Sequence, residues 1–250
     1  MKNFLIFSVL VTGLICCQNA PKADSNALSA GGNNDLINTG AVDSPIVQLR
    51  GILMVSNGKM GLMDYPKQKL YFVVDLTKSI DTLYTKAVQP CAYVSETVYA
   101  VLTGRFNGLG EMKLPKFEVT RVDTISGKSP ELMDRAGFPY EFWCHGTEPF
   151  WSVEIANMEG GIFYENQGDG AAWFCPWIAP VKQGKSWVYT LPPSPGSSDA
   201  LSIKITKEKA NDGMSEQVYE YSCEVKARGV TYKGVAVRGT SKILGPAGDE

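Results

Sequence analysis

The alternation of apolar and polar positions divides the chain into four stretches. Phe4 to Ile15 is a continuous apolar run behind Lys2. It has about the length of an export-signal core and falls short of the roughly 20 apolar residues that span a bilayer. Residues 18–45 are rich in Asn, Ala, Ser, Gly and Asp, show little periodicity, and have the composition of a flexible linker. From residue 46 to 126, short apolar runs alternate with turn signals. Val47, Leu49, Gly51 and Leu53 share one face of a strand, Asn57-Gly58 makes a hairpin turn, and Leu70 to Val74 is a further strand. The period then changes. Leu76, Ile80, Leu83, Tyr84 and Ala87 fall at helical spacing, with Asp75 or Thr77 as N-cap and Pro90 as the stop. Thr97 to Leu102 and Phe117 to Val122 return to period two.

Strands, one helix and strands again describe a small Greek-key barrel of the OB type over 46–126. The last stretch, 137–244, carries all five tryptophans, Trp143, Trp151, Trp173, Trp177 and Trp187. Trp151, Val153 and Ile155 alternate with polar or small neighbours, Glu159-Gly160-Gly161 turns the chain, and Ile162 to Tyr164 runs back. Ser186–Leu191, Leu201–Thr206, Gln217–Ala227 and Val230–Val237 are further strands, the last two joined at Arg228-Gly229. The fold class expected is all-β with one short helix. Two small antiparallel β modules, an OB-like barrel and then a barrel or sandwich, follow a leader (1–17) and a tether (18–45).

Composition narrows the function. The 250 residues carry 24 Lys+Arg against 26 Asp+Glu, a net charge of -2, which gives no field for holding nucleic acid. A single histidine, His145, removes multi-histidine metal sites and most catalytic triads. The leader ends in Leu14-Ile15-Cys16-Cys17, which resembles a bacterial lipobox with Cys17 as lipid acceptor; Cys16 is the weaker choice, because it puts Gly13 where the motif has Leu. The alternative is a plain secretory signal with two incidental cysteines. Several acyl chains on one cysteine hold a protein stably at a membrane. The expected address is therefore the envelope of a Gram-negative bacterium, facing the periplasm or the cell surface, with the membrane and an unknown envelope ligand or protein as partners.

Particular residues carry two resemblances. Arg50-Gly51, Gly61-Leu62-Met63-Asp64, Tyr71, Leu83-Tyr84 and Val101-Leu102-Thr103-Gly104-Arg105-Phe106 occur in an order that resembles the C-terminal OB-like domain of NlpE-type envelope lipoproteins. Tyr65 stands where that family has Cys, so no role of that thiol carries over. Gly146-Thr147-Glu148-Pro149-Phe150-Trp151, Asn211-Asp212-Gly213-Met214-Ser215 with Tyr219 and Tyr221, and Lys233-Gly234-Val235-Ala236 are similar to a second family of bacterial envelope proteins. That family is marked by GxEPFW, C-x-DGMSD and GCA motifs and sits near HslJ-like and lysozyme-inhibitor barrels. Ala210 and Val235 replace both members of its presumed cysteine pair. The motif residues Glu148, Pro149, Phe150, Trp151, Asp212, Gly213, Met214 and Ser215 are read as structural, with Asp212-Gly213 making a tight turn and Trp151 filling a core.

The remaining chemistry is thin. Beyond the leader stand Cys91, Cys144, Cys175 and Cys223, which allow three pairings. A Cys144–Cys175 bond would close about 30 residues and contribute roughly 3 to 4 kcal/mol. Cys91 and Cys223 are expected free and buried. Cys144 and His145, with Met158 or Met214, are the weak candidates for a soft-metal site, a thought prompted by the copper association of NlpE-type proteins; no metal or other cofactor is expected. Gly184-Lys185-Ser186 has the ending of a phosphate loop, but Ala179 occupies the position of its first Gly. No HExxH, GxSxG or CxxC occurs. Glu148 and Asp212 are the conspicuous carboxylates, and Pro149 forces Glu148 extended. The reading is a non-catalytic binding or structural module, with Trp173, Trp177 and Trp187 as a candidate contact surface or else part of a core. An envelope stress or copper sensor and a lysozyme-inhibitor-like protein are the alternatives.

Overall fold

A computed structural model describes residues 44–64, 67–88, 96–193 and 200–243. Cys16, Cys17, Tyr65, Pro90 and Cys91, with the leader and tether expectations, lie outside the described residues. Both expected β modules are present, built from fourteen strands.

The first is a closed barrel in the order β1-β2-β3-β5-β4. Its strands are β1 (Val47–Ser56), β2 (Lys59–Asp64), β3 (Lys69–Asp75), β4 (Thr97–Leu109) and β5 (Pro115–Ser126). The pairs are antiparallel except β3 with β5, which run parallel with Phe72 opposite Lys116. β1 closes on β4 with Leu53 opposite Val98. The alternating positions read from the sequence point inward: Leu49, Leu53, Leu62, Val73, Val98, Leu102, Phe117 and Val119 form one buried cluster. Between β3 and β4 sits helix α1 (Ile80–Ala87), whose Ile80 enters the same core. The helix is shorter than its apolar spacing predicts. Asp75 folds back to accept the Ile80 N–H at 2.9 Å and the Thr77 N–H at 2.8 Å, so Leu76 lies in a turn and is exposed.

A second helix, α2 (Pro130–Ala136), corrects the expectation of one. Ser129 Oγ accepts from the Leu132 N–H at 3.2 Å, Pro130 opens the first turn, and Gly137 closes it in the left-handed region at φ 74.

The second module is one curled nine-stranded antiparallel sheet in the order β10-β11-β12-β13-β14-β6-β7-β8-β9, which removes the sandwich alternative. Its strands are β6 (Phe142–Thr147), β7 (Phe150–Ala156), β8 (Gly161–Asn166), β9 (Ala171–Pro176) and β10 (Val181–Gln183). They continue with β11 (Ser186–Pro193), β12 (Ala200–Asn211), β13 (Val218–Ala227) and β14 (Val230–Arg238). The concave face is filled by Phe142, Trp151, Val153, Ile155, Tyr189, Ile203, Ile205 and Val225 among others.

A third cluster joins the two modules. Ile52, on the outer side of β1, packs with Met133 of α2 and with Phe138, Tyr140, Ala156 and Phe163; Tyr99 of the barrel meets Phe138 edge-on at 5.8 Å. No helix among the described residues is long and apolar enough to cross a membrane.

Candidate functional site

The convex face of β6, β7 and β8 sets up the site. Strand register lines up Trp143, Glu154 and Phe163 in one cross-strand row, and His145, Ser152 and Glu165 in the next row on the same face. Such a face is ordinarily solvated, and Glu154 on an alternating strand has the sequence signature of a solvated carboxylate. Here the barrel covers it, bringing Ala87 and Val88 of the α1 end and Glu96 at the entry to β4. The result is a cavity of about 230 Å³ lined by these residues with Gly127, Lys128 and Gln167.

Lys128, between β5 and α2, is the only ammonium among the described residues of this lining. Its Nζ meets Glu154 Oε2 at 2.5 Å and Glu159 Oε2 at 3.1 Å, and stands 4.2 Å from the centre of the Phe163 ring. All three ionic side chains are nearly buried, at 4 or 5% exposure. Burial alone would lower the Lys128 pKa, but the charges of Glu154 and Glu159 outweigh it and hold the ammonium above its ordinary value. Burial pushes the Glu154 carboxyl up to about 8, further than Lys128 pulls it back. Glu165 is likewise raised by burial, against a hydrogen bond from Glu96. Two carboxyls around one ammonium leave one negative charge in excess, which favours a carboxyl that keeps its proton to higher pH. Thr97 Oγ1 donates to Glu159 at 2.8 Å, and the Tyr84 hydroxyl donates to the Glu96 carbonyl, so both modules hold the cluster in place.

The paired motifs meet at one end of the sheet. Thr147 Oγ1 donates to the Asp212 carbonyl at 2.9 Å. The Asp212 carboxylate accepts from the Ser215 and Met214 N–H groups at 2.9 and 3.0 Å, which hold it below the usual carboxylate range. Gly213 takes φ 81, completing the turn. Glu148 is exposed before a cis Pro149, Phe150 and Met214 are exposed, and Trp151 is buried. A Cβ on Gly146 would collide first with the Trp151 indole, whereas one on Gly234 would collide first with the His145 carbonyl and then with the indole. The motif chemistry is consumed by turn and packing.

The Cys144–Cys175 bond is not formed; both are free, buried thiols. Cys144 is on β6 and Cys175 on β9, three strand spacings or about 14 Å across the sheet, beyond the Cα separation a disulfide spans. The neighbour of Cys144 is instead Cys223, whose thiol hydrogen-bonds to it. Cys223 is free and buried.

Cys144 and His145 point to opposite faces, as adjacent strand residues must. Cys144 joins the core, while His145 meets Tyr219 edge-on at 5.3 Å and has its pKa lowered by burial. Among the described residues no group of three or more His, Cys, Asp or Glu is placed to hold a metal ion.

The three tryptophans are spread along the core rather than gathered on one surface. Trp187 is buried in it under Lys182, which stands 3.5 Å from its ring. Trp173 stacks on Tyr164 at 4.4 Å, and Trp177 Nε1 donates to Glu141 at 3.1 Å. Glu141, which no motif marks, is fully buried, also accepts the Tyr189 hydroxyl at 2.9 Å, and is pushed by burial to about 7.

No protein-family model, no curated protein and no solved structure matches the chain. A β-rich fold does not by itself identify either family whose motifs the sequence resembles.

Proposed function

We propose that this protein is a lipid-anchored, non-catalytic binding protein of a bacterial envelope, which holds a small ligand in the cleft between its β modules. The observation that carries the reading is the composition of that cleft. Its walls come from both modules and combine the buried carboxyl of Glu154 and the half-buried Glu96 and Glu165 with Lys128, Ser152, Gln167 and the half-buried Trp143 around about 230 Å³ of space. Concave sites with a few converging polar groups between structural units are where small ligands bind. The apolar leader ending at Cys17 supports the envelope address, and the resemblance to NlpE-type and HslJ-like lipoproteins agrees with it. Asp212, the most conspicuous carboxylate of the motifs, is committed to turn hydrogen bonds, which supports a module that binds without turnover.

The test is a binding screen of the full chain in mild detergent against peptidoglycan fragments, lysozyme and small polar metabolites, read by calorimetry and tryptophan fluorescence. Saturable binding with an unaltered ligand, lost or weakened in Trp143→Phe, is the expected result. Turnover of a fragment, or silence across the panel, overturns it. For the address, acylated protein in the membrane fraction of Gram-negative cells is expected to become soluble and unacylated in Cys17→Ala; wild-type protein retaining Met1 would refute the anchor.

A further inference from the structure

Among the described residues the cleft is lined by more carboxyl groups than ammonium groups. Glu96 from the barrel and Glu154 and Glu165 from the sheet line it, with Glu159 beside them and Lys128 as the ammonium. Lys128 contacts Glu154 and Glu159, while Glu165 and Glu96 share a hydrogen bond. One atom is left over. The Glu154 side chain is 4% exposed and lines the cavity, yet its Oε1 has no hydrogen-bond partner. A buried carboxylate oxygen without a donor has lost its hydration and gained nothing for it. A donor entering the cavity would satisfy it. The surplus of negative charge selects a donor that is itself positive, and the half-buried Trp143 lines the same cavity. Among the described residues no three ligating side chains converge on a point, so the arrangement suits a cation with several directional N–H groups better than a metal ion.

We propose that the cleft takes a small organic cation, a primary ammonium or guanidinium group whose N–H donors meet Glu154 and Glu165 beside the Trp143 ring. This inference rests on the reading of the cleft as a binding site. Burial raises Glu154 and Glu165 above the ordinary carboxylate range, so each holds its proton to higher pH than a free carboxyl does. The charged groups facing Glu154 are Lys128 and Glu159, and those facing Glu165 are Glu96 and Lys128. A cation displaces those protons, so binding releases them and tightens as pH rises.

The experiment is titration calorimetry of the full chain in mild detergent with four probes: cadaverine, agmatine, the uncharged diol of cadaverine's length, and glutarate. Cadaverine or agmatine is expected to saturate the cleft, with heats that depend on buffer ionisation through the released proton, while diol and glutarate give none. Glu165→Gln, which leaves the Lys128 pairs intact, is expected to weaken the cation about tenfold. Glu154→Gln should do the same where it folds. If diol or glutarate binds and the cations do not, the cationic ligand is wrong and the cleft remains a binding site. If the Glu165 variant binds the cations as tightly as the native chain, their placement is wrong. If none of the probes binds and Trp143 fluorescence also ignores the wider ligand panel, both readings fall.

Discussion

Glu141 shows how one buried side chain makes stability depend on pH. Its carboxyl accepts from Tyr189 and Trp177 and is pushed by burial from 4.5 to about 7. The folded chain therefore keeps a proton that the unfolded chain gives up near pH 4.5, as a free glutamate carboxyl does. Between those two values the unfolded state binds fewer protons, so stability falls as pH rises through that window and levels off above it. One carboxyl shifted this far accounts for roughly 3 kcal/mol. We expect Glu141→Gln, which keeps an acceptor but cannot ionise, to flatten much of the fall between pH 5 and 8 in urea unfolding. Glu154 and Glu165 slope the same way, so a residual fall is expected; a variant curve parallel to the native one would disprove the assignment to Glu141. Lys128 at the module junction follows the opposite logic. Glu159, joined by Glu154 as that carboxyl ionises, outweighs burial and raises the Lys128 pKa, so the ammonium stays charged across the same range.

At the scale of elements, the paired motifs are a device for seating one indole. Gly146 on β6 and Gly234 on β14 approach Trp151 so closely that neither tolerates a Cβ without movement. The Gly146 contact falls on Trp151 Nε1 and Cε2, so the strain of a methyl there depends on the ring itself. We expect Gly146→Ala to cost about 2 kcal/mol by overpacking, and a double-mutant cycle with Trp151→Phe to show a favourable coupling of about 1 kcal/mol. Strictly additive costs in denaturant unfolding would show that the glycine serves the backbone and not the indole. The strands legible in the sequence are those in which apolar residues alternate with polar or small ones, such as Trp151 to Ile155 and the inward row Leu49 and Leu53. β6 and β9 escaped because Phe142-Trp143-Cys144 and Ala172-Trp173-Phe174 are apolar on both sides, which erases period two. α2 escaped because seven residues with Met133 as the buried one make no stripe; its only signals were Ser129-Pro130 and Gly137. The cleft was invisible for a related reason. Glu154 and Glu165 read as solvated positions, and no periodicity states that another module will cover them.

At the scale of the molecule, two units are joined by an apolar seam and an ionic cluster that lie side by side. Ile52 belongs to the barrel by sequence, but its side chain is 1% exposed against Met133, Phe138 and Phe163 rather than in the barrel interior, where Leu53 points. Burying such a side chain contributes about 2 kcal/mol, and an unpaired carboxylate in its place would cost several more. The same seam holds Glu96 and Lys128 against Glu154 and Glu165, so the cleft exists only while the modules stay docked. Native protein is therefore expected to unfold in one calorimetric transition, with calorimetric and van't Hoff enthalpies equal. Ile52→Glu is expected to split that transition in two, because it disrupts the seam and spares both module cores. The split should coincide with loss of ligand binding while far-ultraviolet circular dichroism stays native. A native chain that already melts in two steps, or an Ile52→Glu chain that melts in one and still binds, would mean the seam is incidental and the cleft is held open by the sheet alone.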